Sequence, residues 1–420
     1  MLTLVSFIPR TAIQKNSAES AELLFRNNVH FYNLVGKAEG GNPQRAGDYS
    51  KVDQIADIML LEIAYYIDEE LPMETALWAG YYDGRKSITM NESYVRAVNE
   101  QIPANSQYLR YWHGSLVFVR PLLTICNIVQ IKILVGFLIM VLLASLIIRL
   151  IKLGCKAEAV SVLISMSAVS VWFVALSLEY VWMFILTLAV ALIAVKLAVN
   201  GKTSSLYKLF FLTGMLAAYF DFFTTESMTL LVPLLLAIRL TDRRNNEAGN
   251  TTARNADMWV FSVKSGLLWG VGYAGCWSMK WLITSIILRI NAVQYINHNM
   301  LAHLGTFDKI SAAAQIRGLL IRNFRPLFPL GYGVAGSVFF VLFVLFGVFL
   351  SVYRNAVVLK KTINWNSVLL YFLLGMLVYL RLIILRHHSY YHFFFTYRAQ
   401  AASILALCFI ILEMIGFKRN

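Results

Sequence analysis

From residue 130 onward the chain alternates long apolar runs with short polar gaps. The runs fall at about 130–150, 157–177, 180–199, 206–222, 224–240, 259–288, 328–352 and 366–385, with 397–416 as a ninth if residues 1–9 are not counted as a span. They are continuous instead of alternating, which predicts helices and not barrel strands. A membrane crossing needs roughly 20 mostly apolar residues, so eight or nine transmembrane helices are expected. The 259–288 run is long enough to be tilted or broken.

Residues 10–110 are soluble in character. Asn16-Ser-Ala-Glu19 has the form of a capping box and predicts a short helix over Ala18–Phe25. A Gly- and Asn-rich loop follows from Gly36 to Gly47. Val52–Tyr66, VDQIADIMLLEIAYY, predicts a largely buried helix, and Asp68-Glu-Glu70 before Pro72 predicts an acidic turn. Residues 112–128 are aromatic, basic and only partly apolar, which suits an amphipathic helix lying in the membrane interface. The expected class is therefore an all-α polytopic membrane protein. Its parts would be a partial first membrane segment at 1–9, an acidic helical region at 10–111, the interfacial helix at 112–128 and a helical bundle at 129–420.

Composition agrees with that class. Hydrophobic residues make up 58% of the chain and charged residues 14%, against about 25% charged in a soluble domain. The formal net charge is +14, divided unevenly. Residues 10–110 hold 10 basic and 14 acidic residues, net −4, and the remainder carries +18. Basic clusters occupy every second gap: Arg149/Lys152/Lys156, Lys196/Lys202/Lys208, Arg239/Arg243/Arg244, Arg354/Lys360/Lys361 and Lys418/Arg419. By the positive-inside rule these gaps are cytoplasmic. Residues 10–110, 289–327 and 386–396 then lie outside, although Arg317, Arg322 and Arg325 run against that placement. The basic balance reflects topology, and nucleic acid is not an expected partner. The four cysteines sit in or beside apolar runs, match no zinc or redox spacing and read as small buried hydrophobes. Met1–Pro9 is too short to span, so the chain start reads as the end of a truncated first helix.

Several positions carry candidate chemistry. Asp53 and Asp57 stand four apart on one helix face, where like charges repel unless a metal, a cation or a substrate hydroxyl intervenes. They also read as solvated surface acids. Arg110, His113 and Arg120 flank Tyr111 and Trp112, at the depth of a lipid phosphate, and serve either as anchors or as phosphate ligands. Lys280 and Arg381 lie inside apolar runs, where an ionisable group is costly without a cavity or partner. Asp221 and Glu226 flank a short turn, and capping or hydration explains them equally well. Arg386-His387-His388-Ser389-Tyr390-Tyr391-His392 is the densest cluster, with phosphate contact, metal binding and an aromatic belt as its readings. It contains no carboxylate and no HExxH. Asn91-Glu-Ser93 fits a glycosylation sequon. Gly331-Tyr-Gly333-Val-Ala-Gly336 matches a dinucleotide motif by letters, but it opens an apolar run with no preceding strand, so close helix packing is expected there.

With its long acidic region, its interfacial basic-aromatic segment and its motifs RYWHG…VRP, VDQIADIMLLEIAYY and RHHSYYHFFFTYR, the chain resembles integral-membrane glycosyltransferases of the GT-C type. The resemblance is mainly architectural. It implies transfer of a sugar from a polyprenyl-phosphate donor to a cell-surface glycan or lipid acceptor, at the outer face. It implies Asp57 or Asp53 as general base or metal ligand, with a divalent cation as a possible cofactor. Donor phosphate would be held by Arg110, His113, Arg120, Lys280, His387 and His388. The chain departs from the family where a first span would precede the acidic loop, and the nearest acids to that point are Glu19 and Glu22. The alternatives are a transporter or flippase for lipid-linked glycans and a non-catalytic membrane scaffold.

Overall fold

A computed structural model describes residues 1–26, 54–85, 87–247, 254–294, 310–353 and 363–415. The polar region contributes α1 (Leu2–Ser6), α2 (Arg10–Arg26), α3 (Gln54–Tyr66), α4 (Pro72–Trp78), α5 (Met90–Asn99) and α6 (Leu116–Leu122). A two-residue antiparallel ladder, β1 (Gly80–Tyr81) and β2 (Ser106–Gln107), closes the loop around α5. The bundle follows as α7 (Ile128–Lys152), α8 (Lys156–Ala168), α9 (Val181–Val199), α10 (Thr203–Phe220), α11 (Ser227–Glu247) and α12 (Arg254–Leu288). It is completed by α13 (Ala312–Phe324), α14 (Val334–Tyr353), α15 (Trp365–Ile384), α16 (Arg386–Tyr391) and α17 (Phe393–Ile415).

The chain is an all-α membrane protein. Among the described residues, five helices, α7, α9, α14, α15 and α17, are long and apolar enough to cross a bilayer. That is fewer than the eight or nine expected, and the run at 157–177 shows why. It breaks at Ser170, which adopts a left-handed backbone (φ 54°), and continues as a 3-10 turn over Val171–Leu176. The 13 residues of α8 reach only about 20 Å, short of the roughly 30 Å of hydrocarbon. The 259–288 run is unbroken and belongs to the 35-residue α12. Gly336, in the glycine motif, packs directly against the Pro329 carbonyl of the turn that precedes α14, a local contact and not the packing of two helices.

Two local expectations fail for identifiable reasons. Helix α2 begins at Arg10, just after Pro9, so Asn16 and Glu19 are interior positions and not a cap. Asn16 instead donates from its amide to the Leu123 carbonyl at 2.9 Å. Asn91 of the sequon is buried, and its amide donates to the Leu24 carbonyl at 2.7 Å. A capping box lies elsewhere among the described residues: the Asn127 side chain accepts from the Val129 and Gln130 backbone amides, and the Gln130 side chain accepts from the Asn127 backbone amide at 2.9 Å. This box starts α7 and also joins it to α2, because the Asn127 side-chain Nδ2 donates to the Glu19 carboxylate at 2.9 Å.

The helices nearest the site meet backbone to backbone. A Cβ on Gly214 of α10 would lie 2.0 Å from the Trp269 carbonyl, and one on Gly272 of α12 would lie 2.2 Å from the Phe211 carbonyl. Small residues at such crossings let two backbones touch. Gly214→Leu should therefore destabilise the protein by about 1–3 kcal/mol through overpacking. Gly270→Leu, where an added Cβ meets nothing within 4 Å, should be near neutral. Thermal unfolding in detergent compares the two, and equal effects would refute the close-contact account.

Candidate functional site

The polar region docks on the bundle through residues 108–114. Trp112 donates from its indole to the Cys276 carbonyl at 2.9 Å, and the Gly114 amide donates to the Tyr219 carbonyl at 3.0 Å. Gly114 leaves no room for a side chain, since a Cβ would fall 2.4 Å from that carbonyl. Between them, His113 takes a left-handed backbone (φ 55°), and its Nε2 donates to the Tyr108 carbonyl at 2.7 Å. Tyr111 is the hub. Its ring meets Phe222, Phe223 and Trp277 edge-on at centroid distances of 5.1, 5.9 and 5.7 Å. Arg110 lies over the Tyr108 and Tyr111 rings.

The turn from α10 to α11 supplies the acids. Asp221 caps it, accepting from the Thr224 amide at 3.1 and 3.0 Å and from the Thr224 hydroxyl. Phe223 has φ 61°, which turns its carbonyl to Arg381. Arg381, from α15, binds Glu226 with a two-pronged contact of 2.7 and 3.0 Å. Planar guanidinium meeting carboxylate in this way is among the strong protein hydrogen bonds. On α12, Lys280 is buried, donates to the Leu77 carbonyl at 3.1 Å and lies over the Trp112 ring. A solvent-free ammonium accepts such partners only where packing holds them in place.

The predicted site residues divide into two groups. Arg110, His113, Lys280 and His388 come together around Tyr111 and the 221–226 turn. His388 reaches it through the Phe223 ring at 6.5 Å, and His113 through the Phe222 ring at 5.2 Å. The others lie elsewhere. Arg120 is buried between α1, α3 and α6, donating to the Ala64 and Ile8 carbonyls, so it ties the polar region together. His387 packs on Tyr391. Asp53 lies outside the described residues.

Asp57 is neither solvated nor facing those cations. It is fully buried, paired with Lys132 at 2.5 Å and held by the Leu178 amide at 2.7 Å and the Ser177 hydroxyl at 3.2 Å. Burial pushes its carboxyl above the ordinary range, against the pull of Lys132 and these two donors. Asp221, Glu226 and Arg381 were visible in the sequence as ionisable residues in apolar surroundings. What marks them as a unit is their opposite charge, since a buried Arg needs a buried acid. Among the described residues no group of three or more His, Cys, Asp or Glu side chains is placed to hold a metal ion. Comparison of the chain with family models, with curated proteins and with solved structures finds no match.

Two measurements test this geometry. Lys132→Met strands a buried carboxylate and should cost about 3–5 kcal/mol. The Asp57→Asn/Lys132→Met double variant should recover much of that, and simple additivity of the two single effects in unfolding experiments would deny the pair. His113 gives a pH signature. Burial pushes its imidazole down to about 3 from 6.5, with Lys280 and Arg110 adding to the effect and the Tyr108 carbonyl opposing it. Between those values the unfolded chain holds more protons than the folded one, so stability is full above 6.5 and falls as pH drops. The expected loss from pH 6.5 to 5 is about 2 kcal/mol. Melting curves of wild type should show this slope, and His113→Gln should flatten it.

Proposed function

We propose that the chain is a membrane glycosyltransferase of the GT-C type, moving a sugar from a polyprenyl-phosphate donor to a surface glycan or lipid acceptor. The reading rests on one observation: ionisable groups from four separate segments, Arg110, Asp221/Glu226, Lys280 and Arg381, converge where the polar region seals onto the bundle. Buried charge at membrane depth is costly and marks function. In this reading α10, α11 and α12 cross the bilayer beside the five apolar helices, and α8 together with its 3-10 continuation over Val171–Leu176 makes the ninth crossing. The polar region lies outside and the C-terminus is cytoplasmic. Nucleotide sugars are cytoplasmic, so a lipid-linked donor suits a site on the outer side.

The chemistry follows from these groups. The acceptor oxygen attacks the anomeric carbon, the bond from that carbon to the lipid phosphate breaks, and configuration inverts. Arg110 and Lys280 stabilise the charge that grows on the leaving phosphate. Asp221 takes the acceptor proton. It does so in place of Asp57, whose carboxylate is already occupied by Lys132, Leu178 and Ser177. A transporter for lipid-linked glycans would also use buried cations, but it has no need of a polar region locked to the bundle through Trp112 and Gly114.

Mass spectrometry of surface glycans in a deletion strain tests the proposal. One sugar substituent should vanish on deletion and return with wild type or with the Asp57→Asn/Lys132→Met variant, which removes the pair without stranding a charge. Asp221→Asn should reduce its return by about 100-fold or more, the scale of a lost general base. An unchanged profile on deletion would overturn the assignment, and full rescue by Asp221→Asn would remove Asp221 from it.

A further inference from the structure

Helix α12 carries a file of aromatic rings. Trp269, Tyr273, Trp277 and Trp281 recur every four residues, so they stand along one face. Successive centroids are 5.0, 6.4 and 5.2 Å apart. At the foot of the file the polar atom is satisfied, because the Trp269 indole donates to the Thr229 hydroxyl at 3.1 Å. Further along it is not. The Tyr273 hydroxyl and the indole N–H groups of Trp277 and Trp281 are buried with no hydrogen-bond partner among the described residues. On the other side of the Tyr111 ring, which meets both His113 and Trp277, His113 Nδ1 is left as an unpartnered acceptor, since Nε2 is committed to the Tyr108 carbonyl. Thr225, in the acidic turn, also has a buried hydroxyl without a partner.

Native proteins satisfy nearly all buried polar atoms, so a cluster of unsatisfied ones asks for a missing partner. An indole N–H can only donate, and the neutral imidazole nitrogen can only accept. The partner must therefore offer both acceptors and donors, and must tolerate aromatic walls. A prenyl chain offers neither. A phosphate offers acceptors alone and would face Asp221. A sugar ring offers hydroxyls that donate and accept, and C–H faces that pack on rings. Tyr273, Trp281 and Phe223 are half-buried and give the file an open edge.

We propose that Tyr273, Trp277 and Trp281 of α12, with His113 beyond the Tyr111 ring and Thr225 in the turn whose Phe223 packs on Trp277, form a subsite for a monosaccharide ring. Identifying that ring as the transferred sugar rests on the glycosyltransferase reading; the existence of the subsite does not. Trp277 and Trp281 donate to ring hydroxyls, and His113 Nδ1 accepts from one.

Saturation-transfer NMR on the full chain in lipid nanodiscs tests this, with glucose, galactose, mannose, N-acetylglucosamine and arabinose as probes. Wild type should receive transfer from at least one of them. The Trp277→Phe/Trp281→Phe variant keeps the rings and removes the donors, and should bind that sugar about tenfold more weakly, the scale of two lost hydrogen bonds. Trp281→Phe alone, at a half-buried position, should give part of the loss if the double variant misfolds. Trp269→Phe, whose N–H is already engaged, should bind as wild type does. No transfer from any of the five sugars, or unchanged binding in both Trp281 variants, overturns the subsite. Sugar binding lost in those variants, with surface glycans unaffected by deletion, would leave the subsite standing and remove the glycosyltransferase reading. The opposite pairing would do the reverse.

Discussion

A charge taken out of water must find its counter-charge or a set of dipoles, and the architecture of this protein is arranged around that demand. Among the described residues, three largely buried cations meet it through four ion pairs. Arg239 of α11 bridges Glu158 of α8 at 3.0 Å and Glu413 of α17 at 2.7 Å. Arg381 of α15 grips Glu226 in the α10–α11 turn. Lys132 of α7 holds Asp57 of α3. Each pair joins elements far apart in sequence, so each fixes a relative position that apolar packing alone would leave free to slide. Such pairs contribute little net stability, but breaking one leaves an uncompensated charge. They act as registers more than as glue.

The two pairs nearest the junction have different consequences. Asp57 and Lys132 set the polar region on α7, and the enclosure by Leu178 and Ser177 removes that carboxylate from any substrate. Arg381 and Glu226 set the α10–α11 turn against α15, which leaves Asp221 at the edge of the same turn and Phe223 turned toward His388. The close approach at Gly214 and Gly272 then fixes how α12 presents its rings to that turn. The site thus depends on a chain of contacts running from α15 through the turn to α12 and on to Tyr111.

Much of the fold was legible in the apolar runs, since a long continuous run has few options other than a helix. Each run from 130 to 416 contains helix, and the class was read correctly. The break at Ser170 was not visible, because residues on both sides of it are apolar and hydropathy does not register a left-handed turn. The start of α2 was misread for a related reason: Asn16-Ser-Ala-Glu19 satisfies the letters of a cap, while Pro9, seven residues before Asn16, is the real start signal. At the junction, Lys280, Arg110 and His113 stood out as costly or cationic. Asp57 stood out for the wrong reason. Its repulsion from Asp53 suggested a ligand, whereas the charge is answered by Lys132, near the start of α7.

That substitution carries a general point about acids in membrane proteins. A sequence shows that a buried carboxylate needs compensation but does not say whether protein or substrate supplies it. The deciding quantity is how many of its lone pairs the fold has already filled. Asp57 has an ammonium from α7 and a hydroxyl and an amide from the segment at Ser177 and Leu178, both far from it in sequence. Asp221 draws its amide and hydroxyl from one residue of its own turn, Thr224, so its surroundings are local and can admit a further partner without dismantling the packing between helices. The same accounting separates the satisfied Trp269 from Trp277 and Trp281 on one helix face. A carboxylate with local support, beside ring donors that have none, is where this protein keeps polar capacity in reserve.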